Sequence, residues 1–407
     1  MLRIELLLER FPWLNDISDS HLRMLYVVRI MRDLLNKITF FFLPIFLFLV
    51  GKDTDFLHEL HLTSLQNGLI TIAIFYGLVR VTILLTAIPL ATFSRRIGFD
   101  MAVMLSYVAR LGAFAALYFA SQYPQLIMAA AILEAFQSNL FWNNFFAVLS
   151  ERLHRKWAGS ELGMQQFIVQ VLSVLSPAFS GFLALSYGFE ILFLLGGVIS
   201  VLSAVVVFSM KVSIPRDEVS WKEFGEWLRN PMYLKLTGSF IGKYINDAAL
   251  ILWPLYVFLV LGSIERVGFL YTFSLFLAMV LTFFIGNYLN TIKTKRPFYF
   301  SGGALSLVWV ARTQVISVWG IALADTTERL LGNFHWLFYN WMTMLGGKGK
   351  EAFSYFVYTE MVTSVGAIFF WLVFASFFMV SSSWNGIFLF AGIGVLLSLL
   401  VNNAHEK

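Results

Sequence analysis

Residues 325–341, DTTERLLGNFHWLFYNW, set two acids and an arginine (Asp325, Glu328 and Arg329) inside a run otherwise apolar enough to span a bilayer. A charge at the centre of a membrane helix costs roughly 2.5–3.5 kcal/mol on insertion scales, so such residues face a partner, a bound solute or a water-filled cavity. Buried carboxylates can carry a proton, and a guanidinium beside them can hold an anionic group. Residues 132–142, ILEAFQSNLFW, repeat the pattern: Glu134, Asn139 and Trp142 stand 194 residues before Glu328, Asn333 and Trp336. Three agreements at one offset suggest internal duplication, which in membrane carriers brings equivalent helices to one central site. Glu134, Glu328 and Asp325 are thus candidates for coupling a proton, and Gln137, Trp142, Arg329, Asn333 and Trp336 for touching a solute. Glu134 has fewer cations on its own helix and is the expected proton carrier, with Glu328 the partner of a solute or of Arg329.

A second repeat has an offset of 210, at which Asn36, Lys37 and Pro44 match Asn246, Asp247 and Pro254. Asp33 then falls on Lys243, so the match inverts charge: Asp33 with Lys37 in one half, Lys243 with Asp247 in the other. Each pair is spaced i, i+4 and can neutralise itself on one helix face, worth ~0.2–0.5 kcal/mol at a surface and more in hydrocarbon. Asp33 and Asp247 join the coupling candidates, and Lys37, Lys243 and Asn246 the solute contacts. Arg80 is a further solute candidate, and Glu360 is another charge near mid-span. Arg110 and Arg312 are expected to lock one helix to another by buried ion pairs. His335 can change charge near neutral pH and so relay a proton or touch a solute, although satisfaction by a backbone carbonyl is the favoured reading. The rings and amides of FWNNFF at 141–146 and NFHWLFYNW at 333–341 fit either an amphipathic pocket or a packed gate.

The elements that position these groups must be membrane helices. The chain is 59% hydrophobic and 13% charged over 407 residues, which a soluble core of this size does not require. Windows of ~20 apolar residues give twelve spans: 25–50, 68–92, 101–120, 125–148, 164–186, 189–210, 234–261, 267–289, 298–317, 318–343, 352–380 and 385–402. The basic residues Arg95, Arg96, Arg152, Arg155, Lys156, Lys211, Arg216, Lys222, Arg229, Lys293, Lys295, Arg296, Lys348 and Lys350 fall in alternate loops, while the opposite loops carry Lys52 and Arg266. The positive-inside rule then puts both termini in the cytoplasm. Residues 1–24 read as an amphipathic cytoplasmic lead-in rather than a signal peptide. The linker 211–232 separates two six-helix bundles, 25–210 and 233–407. Within it Trp221, Phe224 and Trp227 recur among charged residues as in a short interfacial helix.

No cysteine is present, so disulfide and thiolate chemistry are excluded. The chain also lacks a phosphate loop, a His/Glu zinc pattern and a nucleophile elbow, so no enzyme, metal or cofactor is expected beyond a proton or ion gradient. HELHLTSLQNGLI at 58–70, ATFSRRIGFD at 91–100 and SPAFSGFLALSYGFEILF at 176–193 resemble segments of the major facilitator superfamily. The loop at 91–100 keeps Arg96 and Gly98 of that family's motif between its second and third helices, with Ala91, Arg95, Phe99 and Asp100 departing from it. The third segment keeps Pro177 and Gly181 of a fifth-helix motif associated with antiporters, with Ser176 in place of its first glycine. The resemblance implies an all-α polytopic fold of two pseudo-symmetric six-helix bundles, and a conformational role for Arg96, Gly98, Pro177 and Gly181. The expected function is secondary active transport of a small solute by alternating access around spans 1, 4, 7 and 10. Proton-coupled antiport or efflux of an amphipathic metabolite or drug-like compound leads, with proton symport of a sugar-like solute as the alternative. A transport-inactive sensor or scaffold and a polytopic membrane transferase are the readings from other classes. The expected partners are the solute and the lipid bilayer of the cytoplasmic membrane, with no nucleic acid, for a protein acting as a monomer.

Overall fold

The structure, a computed structural model, describes residues 20–54, 62–152, 158–208, 217–291, 294–347, 351–381 and 383–401. The lead-in up to residue 19 lies outside the described residues, as do Arg155, Lys156, Lys211, Arg216, Lys293, Lys348 and Lys350. In chain order the helices are α1 (Ser20–Thr39), α2 (Leu43–Asp53), α3 (Ser64–Ile97), α4 (Phe99–Phe119), α5 (Leu126–Arg152), α6 (Ala158–Ser173), α7 (Ser176–Tyr187) and α8 (Glu190–Phe208). After the linker helix α9 (Trp221–Arg229) come α10 (Pro231–Leu261), α11 (Ile264–Thr291), α12 (Arg296–Arg312), α13 (Val318–Gly346), α14 (Ala352–Val380) and α15 (Asn385–Ser398).

Local chemistry sets the boundaries. Pro44 lies in the first turn of α2, where its missing N–H costs nothing, and α1 ends five residues before it at Thr39, so the first span is a broken helix. Pro177 does the same at the start of α7, dividing the span expected at 164–186. Pro254, by contrast, is carried inside a continuous α10. A capping box starts α3: the Thr63 side chain accepts from the Gln66 N–H, and the Gln66 side chain accepts from the Thr63 N–H. The turn from α3 to α4 is one residue, Gly98, at φ 90°, a conformation open to glycine and strained for other residues.

Among the described residues, seven helical stretches are long and apolar enough to cross a bilayer by length and composition: Met24–Asp53, Ser64–Ile97, Phe99–Phe119, Glu161–Tyr187, Glu190–Phe208, Tyr233–Leu261 and Ala352–Val380. Of the helices at the other expected spans, α5 and α13 carry mid-span charges and α12 and α15 are short. The exterior is studded with exposed Phe182, Leu185, Val198, Leu202, Phe300, Leu307 and Leu323, an apolar belt that calls for lipid around it. The chain is a multi-pass membrane protein.

Helices α1–α8 pack among themselves and α10–α15 pack among themselves, giving two halves. The halves meet where α3 and α5 lie along α14, and where α6 and α7 lie along α11. At the second seam a Cβ on Gly268 would stand 2.6 Å from the Pro177 carbonyl oxygen and 3.2 Å from the Ala178 Cα, so the two backbones approach through that glycine. Gly181 faces the Ile264 carbonyl oxygen at the same seam, its built Cβ 3.3 Å away. The motif residues Pro177 and Gly181 thus sit where one half touches the other.

The linker helix differs from expectation. Trp221 is exposed, whereas Phe224 and Trp227 are buried against the chain's own Tyr233, Tyr355 and Tyr358. Tyr358 Oη also donates to the Glu223 carboxylate at 2.6 Å, and the Asp217 carboxylate accepts from the Ser354 N–H at 2.5 Å. The apolar face of α9 therefore seals onto the ends of α10 and α14 and is not presented to the membrane surface.

Candidate functional site

A cavity of about 430 Å³ opens between the halves. Its walls come from α1, α3, α5 and α6 on one side and from α10, α13 and α14 on the other. All of these residues lie in the part of the helices nearest Arg95, Arg152 and Lys295, the more basic end of the molecule. Towards the opposite end the interior fills with buried rings, among them Phe42, Phe46, Trp253, Trp371, Phe374, Phe378 and Phe388. There Gln66 Nε2 donates to the carbonyls of Phe378 and Met379 at 3.2 and 3.0 Å and ties α3 to α14. Tyr76 stacks on Trp371 across the same seam, ring centroids 4.9 Å apart. The cavity has polar walls at one end and a plug of aromatics beyond its floor.

The charges of the lining are arranged as three ion pairs. Arg29 Nε is 2.7 Å from the Asp33 carboxylate on α1, and Lys243 Nζ is 2.5 Å from that of Asp247 on α10. Arg80 on α3 donates to Glu360 on α14 at 2.7 Å and so joins the two halves inside the cavity. Each cation also rests on a ring: Arg29 over Trp142 at 4.8 Å, Lys243 over Trp336 at 5.1 Å and Arg80 over Tyr244 at 4.4 Å. Amides from Asn143, Gln165, Gln166 and Asn340 and the hydroxyls of Ser138, Thr343, Thr359 and Thr363 complete the polar lining.

Of the residues singled out from sequence, Asp33, Arg80, Trp142, Lys243 and Asp247 line this cavity. Lys243 and Asp247 pair as expected, but Asp33 is taken by Arg29, one turn earlier on α1, instead of by Lys37. The cation thus precedes the acid by one turn in both halves, although at the offset of 210 the two pairs stand one turn out of register. Lys37, Asn246, Arg329, Asn333, His335 and Trp336 stand outside the lining. Asn246 accepts from Trp309 Nε1 at 2.8 Å, and Asn333 accepts from Gln170 Nε2 at 2.9 Å, both helix-to-helix ties. His335 is fully buried with Nδ1 at 3.1 Å from Ser301 Oγ and Nε2 at 2.9 Å from Ser398 Oγ, and it stacks on Phe298. The Phe298 backbone carbonyl accepts from the ring as well, as expected from sequence, and with the two hydroxyls it makes the ring a bridge between α12, α13 and α15.

Glu134 and Glu328 lie behind the lining. Glu134 Oε1 accepts from Gln137 Nε2 at 2.5 Å, while Oε2 has no hydrogen-bond partner. Arg110 in the same interior donates to Gln137 at 3.3 Å and to Asn36 at 2.5 Å and lies 4.7 Å over Phe40. Its partners are therefore amides, where an ion pair was expected. In the other half Arg312 does reach an acid, Asp325 at 3.9 Å, and Asp325 accepts from Arg329 at 2.9 Å. Arg312 is held between Trp253 and Trp309, 4.1 and 4.2 Å from their centroids, and Arg329 lies 4.9 Å over Tyr271. None of these groups is part of the cavity lining, and they join helices to one another.

Arg29, Tyr244, Gln165 and Gln166 line the cavity without having been read as site residues. Arg29 had a signal: it stands one turn from Asp33 on the opposite side from Lys37. Arg32, next on the same helix, is fully buried with its guanidinium 4.1 Å over Phe141 and no hydrogen-bond acceptor.

Membrane helices in two matching halves around a charged cavity are the build of a solute carrier. The chain belongs to the Major Facilitator Superfamily, whose family model matches residues 25–347. Its fold is similar to that of the human organic anion transporter MFSD10 (TETRAN), with a TM-score of 0.70 at 9% identity over 94% of this chain and 100% of that one. It is also similar to the E. coli fucose:proton symporter FucP, with a TM-score of 0.64 at 11% identity over 93% of this chain and 96% of that one. No curated protein matches the chain in sequence.

Proposed function

We infer that this transporter-family chain moves a small solute by alternating access, with the cavity between the halves as the solute site, and that proton exchange drives it. One observation carries the reading: residues of both halves converge on one cavity whose acids, Asp33 and Asp247, are each already held by a cation. A proton arriving on either acid releases its cation, and a cationic group arriving on the acid excludes the proton. Competition for one carboxylate is the simplest form of antiport. Asp33 and Asp247 are reached from the cavity, which favours them over Glu134 and Glu328 as coupling groups.

The halves 25–210 and 233–407 are the moving bodies in this reading, and the cytoplasmic membrane is the site of action. The basic residues at the cavity end make that end cytoplasmic by the positive-inside rule, with both termini on the same side. No cofactor beyond the proton gradient is needed, and one chain supplies the complete cavity. The test is purified protein in liposomes containing a pH-sensitive dye, challenged with a broad solute panel. Solute-dependent proton movement is expected. Its absence across the panel would remove the reading. A second reading, proton symport of a sugar-like solute, is favoured by the amides Asn143, Gln165, Gln166 and Asn340 in the lining. Hexoses moving protons inward with themselves would establish it.

A further inference from the structure

We propose that the solute is a zwitterion, a small molecule bearing one cationic and one anionic group and no net charge. The proposal rests on the transporter reading above and names the cargo of that same cavity. The lining holds three cations and three acids, and every cation is engaged: Arg29 by Asp33, Lys243 by Asp247 and Arg80 by Glu360. All six side chains remain open to the cavity, with exposures between 17% and 41%. The cavity is thus lined with charge yet sums to zero.

That balance selects among solutes. A net anion must take a cation from its acid and leave a carboxylate alone in a confined space, and a net cation leaves the converse; an unpaired charge withdrawn from water is strongly unfavourable. A neutral solute strips water from the ion pairs and offers them hydrogen bonds but no charge of its own to stand in for either member. A zwitterion adds one charge of each sign, so its cationic group shares a carboxylate, its anionic group shares a guanidinium or ammonium, and nothing is left uncompensated.

The repeat supplies two stations for this exchange. Arg29 with Asp33 on α1 has the order and spacing of Lys243 with Asp247 on α10, and the rings beneath the cations, Trp142 and Trp336, correspond at the offset of 194. Resting on a tryptophan face gives each cation a second source of stabilisation, which holds it in place while its acid turns to a solute. The third pair, Arg80 with Glu360, spans the two halves and has a bridge to maintain, so the two single-helix pairs are the stations.

The experiment is uptake into proteoliposomes of matched sets on common skeletons: α-amino acids and betaines as zwitterions, their N-acyl forms as net anions where an amine is present, their esters as net cations, and hexoses as neutral solutes. Saturable uptake confined to zwitterions is expected, at least ten-fold above the acylated and esterified forms of the same skeleton. Uptake confined to anions, cations or hexoses overturns the proposal and leaves the transporter reading standing, whereas no uptake from any set overturns both. Asp247→Asn makes the lining net positive: zwitterion affinity should fall about ten- to a hundred-fold, the range for losing a hydrogen bond to a charged group, and the acylated anions should gain. Arg29→Gln makes it net negative and should favour the esters, which keeps the test open if the first variant does not fold. Unchanged discrimination in the folded variants would overturn the proposal.

Discussion

Replacing Asp325 by Asn should damage this protein far more than replacing Arg312 by Met, although each removes one partner of the same buried pair. Asp325 is 1% exposed and serves two cations, Arg329 at 2.9 Å and Arg312 at 3.9 Å. Glu328, 5% exposed, completes a set of two acids and two arginines. In Asp325→Asn the set carries a net positive charge, and a guanidinium cannot shed its proton. An uncompensated buried charge of this kind costs about 3–5 kcal/mol. In Arg312→Met the set is left negative, but a carboxyl group can neutralise itself by taking a proton, and Asp325 keeps Arg329. The loss is then mainly that of the cation from between Trp253 and Trp309, roughly 0.5–2 kcal/mol per ring contact, partly returned because Met fills the slot without needing solvation. Thermal unfolding of the purified protein in detergent reads the difference. At about 2–4 °C per kcal/mol for a cooperative unit of 150–250 residues, Asp325→Asn should unfold ~10 °C or more below the parent and Arg312→Met only a few degrees below. Equal shifts, or a larger one for Arg312→Met, would refute the argument that the carboxylate is the indispensable member.

Three further outcomes are expected. Lys243→Met combined with Asp247→Leu should express and fold better than either single variant, with a coupling of about 0.5–3 kcal/mol in a double-mutant cycle; strictly additive damage would show that the 2.5 Å pair is not coupled. Gly268→Ala should lower thermal stability by roughly 1–3 kcal/mol because its Cβ meets the Pro177 backbone, while Gly303→Ala, with nothing within 4 Å, should be neutral or slightly stabilising; similar effects from the two would count against the close seam. Gln66→Leu removes both hydrogen bonds to the Phe378 and Met379 carbonyls, a loss of about 1 kcal/mol or roughly five-fold in the population of the plugged state. Because the chain has no cysteine, Ala249→Cys in that background reports it by faster thiol labelling, and an unchanged rate would show that Gln66 does not hold the plug.

Much of the architecture was legible because bilayer thickness imposes its length on every spanning helix, and because Pro44, Pro177 and Gly98 act through their own backbones. The repeat was legible where it is strict, as for Trp142 and Trp336. The pairing of Asp33 was not: Arg29 and Lys37 both lie one turn away on the same helix face, and the choice between them depends on Trp142, Phe145 and Phe146 of α5, over which Arg29 lies at 4.8, 5.9 and 5.5 Å. Arg80 and Glu360 are 280 residues apart with no local signal to join them. His335 and Asn246 have the chemistry of site residues, but partners on other helices, Ser301, Ser398 and Trp309, occupy that chemistry. Sequence spacing finds polar groups in a membrane, whereas tertiary packing decides which of them meet water.

The pairing of Arg29 with Asp33 on one helix and of Lys243 with Asp247 on another has an electrical consequence. Each sum of charges vanishes within a single rigid helix, so it stays zero however the two halves tilt. A bilayer held at 100 mV does ~2.3 kcal/mol of work on each elementary charge carried across it. On these two pairs it does none, so neither contributes to the voltage dependence of the carrier's motion. In the proposed antiport of a zwitterion the cargo is equally invisible to the field, and the exchanged proton is left to carry the current. Current measured across a supported bilayer should then count protons directly, and its ratio to solute flux should give the stoichiometry of the cycle.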